Sequence, residues 1–166
     1  RMAMLDVVAL PQPYWFAKDD MYREIQVPYL GRPRADREYP MRSFREHGIT
    51  VASASDYPVV AAPDPLLGIR QGVLRRLPDE ADALWPEERL SVDDMIESFT
   101  INGAYANLLE HETGSIEAGK SADLVVLSED IRELDPDRIG EARVLLTIFR
   151  GRPVYTRSPF GDLADP

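Results

Sequence analysis

Apolar positions fall in short runs over the first sixty residues and at helical spacing after them. The run Leu5–Leu10, LDVVAL, is closed by Pro11-Gln12-Pro13. Its length and valine content predict a buried parallel strand. Residues 11–40 mix aromatics, prolines and both charges without a period, and read as a long loop carrying one short helix. Pro40 to His47 predicts a helical turn that stops at Gly48, and Ile49–Ser55 predicts a second strand. Two buried strands about 40 residues apart suit an α/β crossover.

The pattern then becomes helical. Asp64-Pro65 opens a helix over Leu66–Arg76, with proline at the first-turn position it tolerates best. Residues 78–89 read as an acidic, solvated loop that includes Glu87-Glu88. Ser91 is placed as an N-cap, with Asp93 and Asp94 in the first turn, where acids favour the helix dipole. Met95, Ile96, Phe99, Ala104 and Leu108 carry that helix on to Leu109, and Asn102-Gly103 predicts a kink inside it. The character changes after Glu112. Ala122–Leu127 predicts a strand, Asp135-Pro136 a turn or short helix start, and Val144–Arg150 with Pro153–Thr156 a hairpin about Gly151. Two units follow: an α/β part over residues 1–112 and a small β part over residues 113–166.

Composition narrows the function classes. The chain has 166 residues, 44% hydrophobic and 29% charged, which is enough for a folded core. Its net charge is −10, and residues 1–56 hold eight basic and eight acidic side chains against eleven and twenty-one in the rest. The acidic excess lies wholly after Asp56, which argues against nucleic acid and anionic membrane as partners. There are no cysteines. That excludes disulfides and thiolate metal sites and fits a cytoplasmic protein. No run reaches the ~18 apolar residues of a membrane span. The opening Arg1-Met2-Ala3-Met4 has no signal-peptide pattern, and a start on arginine is expected of a piece of a longer chain.

Two motifs bear on chemistry. Gly114 to Ser121, GSIEAGKS, matches the phosphate-loop pattern G-x-x-x-x-G-K-[ST]. A phosphate loop needs a strand entering and a helix N-terminus leaving. Here a helix enters and a strand leaves, and Glu117 would repel phosphate. The two glycines read as tight turns, not as a nucleotide site. The second motif is VASASDYPV, in which a strand of small and β-branched residues ends on Asp56. Functional groups of α/β barrels sit at the C-terminal ends of strands, and a carboxylate there can bind a metal or take a proton from water. Taken alone, an Asp before Tyr-Pro is more often a plain turn residue. Gln12, at the other predicted strand end, can touch substrate or be a loop amide. Tyr14, Trp15 and Phe16 read first as loop packing. Asn102 can orient a loop by hydrogen bonds or merely kink its helix.

Taken in order, HGITVASASDYPV, SFTINGAYANLL, GSIEAGKSADLVVLSEDI and TIFRGRPVY closely resemble the C-terminal part of the metal-dependent amidohydrolase superfamily. The wording is most similar to its YtcJ-like branch, which includes N-substituted formamide deformylases. The resemblance runs over nearly the whole chain. It implies an α/β fold: the C-terminal part of a TIM-type (β/α)8 barrel, its last two strands and helices, plus part of a small β-sandwich. It implies a hydrolase acting on amide or other non-peptide C–N bonds of a small-molecule substrate. On that resemblance Asp56 matches the strand-eight aspartate that contacts a divalent metal, zinc, and shuttles a proton. LDVVALPQP matches strand seven, which places Gln12 towards substrate. The family's His-x-His, its strand-four ligand and its later histidines have no counterpart here. His47 and His111 match no ligand position, so this chain alone is expected to hold no metal and to be inactive. The alternative is a non-catalytic, amidohydrolase-like binding or scaffolding module. Strand edges and apolar faces left without neighbours predict a homo-oligomer.

Overall fold

The computed structural model describes residues 1–161. The last residues of the expected β unit, 162–166, lie outside the described residues. Six helices and one sheet are formed among the rest. They are α1 (Val27–Leu30), α2 (Arg32–Ala35), α3 (Met41–Glu46), α4 (Pro65–Leu74), α5 (Val92–Phe99) and α6 (Ile101–Ala106), with β1 (Leu124–Leu127), β2 (Val144–Phe149) and β3 (Arg152–Thr156). The sheet is antiparallel in the order β1-β2-β3. Leu124 pairs with Ile148 and Val126 with Leu146, and Thr147 pairs with Tyr155 on the other side. The predicted hairpin is present. Arg150 and Gly151 both take positive φ, 49° and 78°, as a two-residue reverse turn demands.

Local signals account for the helix starts. The Asp64 carboxylate accepts from Leu66 N–H at 2.9 Å and caps α4 ahead of Pro65. Ser91 and Asp94 form a capping box on α5, each side chain accepting from the other's backbone N–H. The expected helix through Leu109 is instead two helices. The break is at Thr100 (φ −122°, ψ −95°), two residues before the Asn102-Gly103 pair expected to make it. The Thr100 hydroxyl donates to the Ile96 carbonyl at 2.7 Å, a bond that loosens the helical ladder there.

Other expectations need correction. Leu5–Leu10 is not a continuous strand. Ala3–Leu5 is a 3-10 turn, Leu5 and Leu10 are 64% and 56% exposed, and only Ala9 makes a bridge, with Val51. An apolar run holds strand form only where neighbours cover both faces, and here one residue is covered. Ile49–Ser55 likewise shows that single bridge. Residues 11–40 are more ordered than a loop: a 3-10 turn at Pro13–Trp15, a π-helical turn at Tyr22–Gln26 that runs on into α1, and α2. Glu88 is not solvated. It is buried, accepts from Ser43 N–H at 2.8 Å and from the Ser43 hydroxyl, and so fills the N-terminus of α3 with negative charge.

One core joins both predicted units. Phe16, Val51, Ile69 and Met95 share a buried cluster with Ile131 and Ile139. Helices α4 and α5 meet closely because α4 presents Gly68 and Gly72. A Cβ on Gly68 would stand 2.5 Å from Phe99 Cζ, and one on Gly72 would strike the Met95 sulfur. Arg75, just after α4, is fully buried at φ 54°. Its guanidinium donates to the carbonyls of Leu84 (2.7 Å), Tyr39 (3.1 Å) and Glu38 (3.0 Å) and lies 4.8 Å over the Phe16 ring. Burial pulls its pKa down to about 10, against an opposing pull from Glu88, so it stays charged at neutral pH. Further along, Arg70 (2.8 Å) and Arg76 both pair with Asp137 and tie α4 to the turn at Pro136–Glu141.

Two outcomes are expected. Arg75→Leu strips three carbonyls of their donor at ~1–3 kcal/mol each, and stability falls by roughly 3–5 kcal/mol. Urea unfolding reads this, and an unchanged midpoint refutes it. For Asp137, burial acts to raise the carboxyl pKa, but the hydrogen bonds and charges of Arg76 and Arg70 outweigh it and hold it below the usual range. A lowered folded-state pKa adds stability at neutral pH that is lost as pH falls through that value. Asp137→Asn therefore flattens the decline in melting temperature from about pH 5 to about pH 2, whereas a decline parallel to wild type counts against the pairing.

Candidate functional site

The site is built where two chain segments lie side by side. Ala9 N–H donates to Thr50 O at 2.9 Å, Ala52 N–H to Ala9 O at 2.9 Å, and Ala54 N–H to Pro11 O at 3.0 Å. The pairing at Ala9 and Val51 is parallel. Parallel neighbours run the same way, so Gln12 and Asp56 emerge at one end. The structure thus brings the two sequence-identified residues to a common edge.

Each is held by its own turn. The Gln12 amide donates to the Leu10 carbonyl at 2.9 Å. Asp56 is exposed, takes φ 56°, and its carbonyl accepts from Val59 N–H at 2.8 Å. It is therefore a turn residue in backbone terms, with a carboxylate open to solvent at the end of the segment. The Tyr14 hydroxyl donates to the Asp64 carbonyl at 2.9 Å and links the Gln12 loop to the start of α4. Burial, then the nearby Asp64 charge, pushes the Tyr14 pKa up to about 12, so Tyr14 stays protonated and serves as a donor. Phe16 is fully buried and stacks on Tyr39 with ring centres 4.7 Å apart, which makes it a packing residue.

Asn102 does orient the segment. Its side-chain amide donates to the Val51 carbonyl at 3.0 Å. Ser98, which carried no signal in the sequence, accepts from Ser53 N–H through its hydroxyl at 2.9 Å and its carbonyl at 3.0 Å. A serine inside an amphipathic helix reads as a neutral filler, and only its placement against a strand edge gives it a task.

The histidines stand elsewhere. His47 caps α3 at the opposite end of the 49–55 segment from Asp56, with its Nδ1 2.7 Å from the Ser43 carbonyl oxygen. The side chain of His111 is 92% exposed beside Glu110. Among the described residues no three His, Asp or Glu side chains converge on a metal-sized space. Asp56 offers one hard oxygen donor, which suits a divalent cation as one ligand of several.

The GSIEAGKS stretch is a turn. Lys120 donates to Ser115 Oγ at 2.5 Å and pairs with Glu117 at 3.3 Å, and β1 follows it. Gly114 has φ 90°, and a Cβ there would lie 2.7 Å from the Ala104 Cβ. Glycine at this position thus serves close packing on α6. A wide, mainly apolar cleft of about 1270 Å³ separates the sheet from α5 and α6, lined by Ile96, Phe99, Leu127 and Ile131 among others, and neither Gln12 nor Asp56 borders it. No helix among the described residues is long and apolar enough to cross a membrane.

Comparison with known proteins places these features in a family. The model of the amidohydrolase family matches residues 1–155. The chain is 35% identical over 157 residues to the protein LONG AFTER FAR-RED 3 of Arabidopsis thaliana, covering 93% of this chain and 26% of that one. It is 30% identical over 160 residues to YtcJ of Bacillus subtilis, covering 95% and 30%. It is 35% identical over 120 residues to the N-substituted formamide deformylase of Arthrobacter pascens, covering 72% and 22%. Among solved structures, an amidohydrolase from Thermotoga maritima superimposes with a TM-score of 0.51 at 26% identity, over 70% of this chain and 26% of that one. The chain thus spans between a fifth and a third of the length of these relatives. With its family signature matched from Arg1 to Tyr155, this chain belongs to the amidohydrolase family.

Proposed function

We propose that the chain is the C-terminal part of a metal-dependent hydrolase that cleaves an amide or other non-peptide C–N bond of a small molecule. The observation that carries this reading is the parallel pairing of residues 9–11 with residues 50–54, which sets Gln12 and Asp56 at one end. That is where α/β barrels keep their chemistry. Residues 1–112 then supply the last two strands and helices of the barrel, and residues 113–166 supply returning strands of a small β-sandwich. The deformylase among the relatives supports a C–N bond as the target.

The roles follow from chemistry. Asp56, an exposed carboxylate, serves as one metal ligand and accepts the proton of the attacking water, passing it to the leaving nitrogen. Gln12 donates or accepts at the substrate's amide. A divalent metal, zinc, would polarise the carbonyl and acidify water once the longer protein supplies the remaining ligands. The partly covered run with Leu5, Val7 and Leu10 exposed favours a homo-oligomer in which a second copy shields it.

The test uses the longer protein and this chain side by side. Asp56→Asn keeps the shape but cannot accept a proton, so turnover drops by ~10²–10⁴-fold with little change in melting temperature. Lys120→Ala, in the turn before β1, leaves turnover unchanged. Near-wild-type activity of Asp56→Asn would reduce Asp56 to a turn residue. The 166-residue chain alone binds no stoichiometric zinc and does not hydrolyse a formamide, because a catalytic zinc takes about three protein ligands and no such group converges among the described residues. Tight zinc binding with hydrolysis by this chain contradicts the reading.

A further inference from the structure

One helical face of the chain is apolar on the side that meets water. Residues 20–30 run as one helical stretch, with the π-turn in its middle. The inner side packs. Tyr22 is buried, Val27 lies against the cluster of Tyr22, Ala35 and Leu84, and Gln26 donates to the Tyr39 hydroxyl at 3.3 Å. The outer side carries Met21, Ile25 and Tyr29, which are 53%, 47% and 84% exposed. A surface helix normally turns polar residues outward. Single exposed apolar residues are ordinary, but three at intervals of four residues form a stripe. The π-turn, bonded from Val27 N–H back to the Tyr22 carbonyl, widens the helix there and keeps these positions on one side. The charges around the stripe are ordered. Asp20, its side chain 91% exposed, stands at the N-terminal end and meets Arg23 only at 3.9 Å. Glu24 is exposed in the same half. Arg32 and Arg34 follow the C-terminal end, exposed and without an ion pair among the described residues. Arg23 is engaged elsewhere, with Glu80 at 2.8 Å.

We infer that Met21, Ile25 and Tyr29 form a self-docking face, on which a second copy of this chain lays the same stripe antiparallel, about a two-fold axis at Ile25. The order of charges selects that occupant. Acid stands at one end of the stripe and arginine at the other. An antiparallel copy therefore sets each Asp20 beside Arg32 and Arg34 of the other, and two-fold symmetry makes the contact twice. A parallel copy would set like charges together. The dipoles of the two helices also favour the antiparallel arrangement. An axis at Ile25 sets Met21 against Tyr29 of the second copy along a helix roughly 16 Å long. A thioether against an aromatic ring is a favourable contact. So small a face places the dimer in the weak, transient class. The face lies on a different element from the Leu5–Leu10 run. It shares with the reading above only the expectation of a homo-oligomer and is independent of the hydrolase chemistry.

Sedimentation equilibrium over a range of concentrations tests this, in the 166-residue chain and in the longer protein. The unaltered chain forms a dimer that dissociates on dilution. Ile25→Glu puts two carboxylates on the axis and weakens the dimer by at least about tenfold, with the melting temperature of the dilute chain unchanged. Asp20→Arg weakens it about fivefold, and so does the pair Arg32→Glu with Arg34→Glu. An equal mixture of these two charge variants regains the original dissociation constant, because each reversed end then meets its complement. A monomer at every concentration overturns the inference. So does a dimer that Ile25→Glu leaves intact, or a mixture that stays weak. A dimer lost to Leu10→Glu but indifferent to Ile25→Glu sinks this face and keeps the Leu5–Leu10 contact, and the opposite pattern keeps this face and removes that contact. If Ile25→Glu acts in the 166-residue chain and has no effect in the longer protein, the upstream chain covers the stripe and the inference fails. Should Ile25→Glu impair folding, the charge variants and their mixture decide the matter, since Asp20, Arg32 and Arg34 are all exposed.

Discussion

A fully buried guanidinium organises this chain. Arg75 reaches three carbonyls from two separate loops and covers the face of Phe16. Its own backbone adds two further bonds, N–H to Gln71 O and carbonyl from Leu84 N–H, both 2.8 Å. A buried charge without a bonded carboxylate is tolerable here because guanidinium spreads its charge and offers donors in a plane that neutral carbonyls can fill. Arg75 serves the three carbonyls from three separate nitrogens, a spread that the single nitrogen of a lysine cannot match.

The candidate site inherits its order from that anchor. Arg75 fixes the end of α4, and Asp64 fixes its start. The same Asp64 carries the Tyr14 hydroxyl on its carbonyl, so the Gln12 loop is tied to the helix. Gly68 and Gly72 let α5 come near enough for Ser98 to meet Ser53. From the core outward, each link is a hydrogen bond or a close contact, and Asp56 sits at the end of the series with its carboxylate in solvent. A carboxylate held by its backbone alone is free to adapt to a cation.

Where the sequence could be read correctly, the deciding partners lie within a few residues. Asp64-Pro65, the Ser91–Asp94 box and the Arg150-Gly151 turn are of this kind, and so is the turn nature of GSIEAGKS, which the strand after it settles. Arg75 and Glu88 were illegible because their types normally stay in water, and their partners stand far away in the chain, Tyr39 and Ser43 among them. The helical stretch before Gly31 was hidden by Pro28 and by a π-turn, which shifts the apolar spacing away from 3.6. Leu5–Leu10 has a strand-like composition, but such a run forms a strand only if neighbours come to pair with it, and only Ala9 is paired. As for the candidate site, the position of Asp56 after an apolar run and that of Asn102 in its helix are visible in the sequence, but the Val51 partner of Asn102 is not. Ser98 could be found only from the fold.

The parallel bridge between Ala9 and Val51 has a kinetic meaning as well. Closing it draws together residues about 40 positions apart, at an entropic cost that one bridge cannot offset early. Residues 75–91 separate α4 from α5, and only Arg150 and Gly151 separate β2 from β3, so these contacts close shorter loops than the bridge does. The pairing that positions the aspartate turn therefore carries a larger loop-closure cost than the helices and the hairpin do. A segment held by so few long-range bonds opens more readily than the helices beside it, so the backbone leading to Asp56 is the more adaptable part of this core.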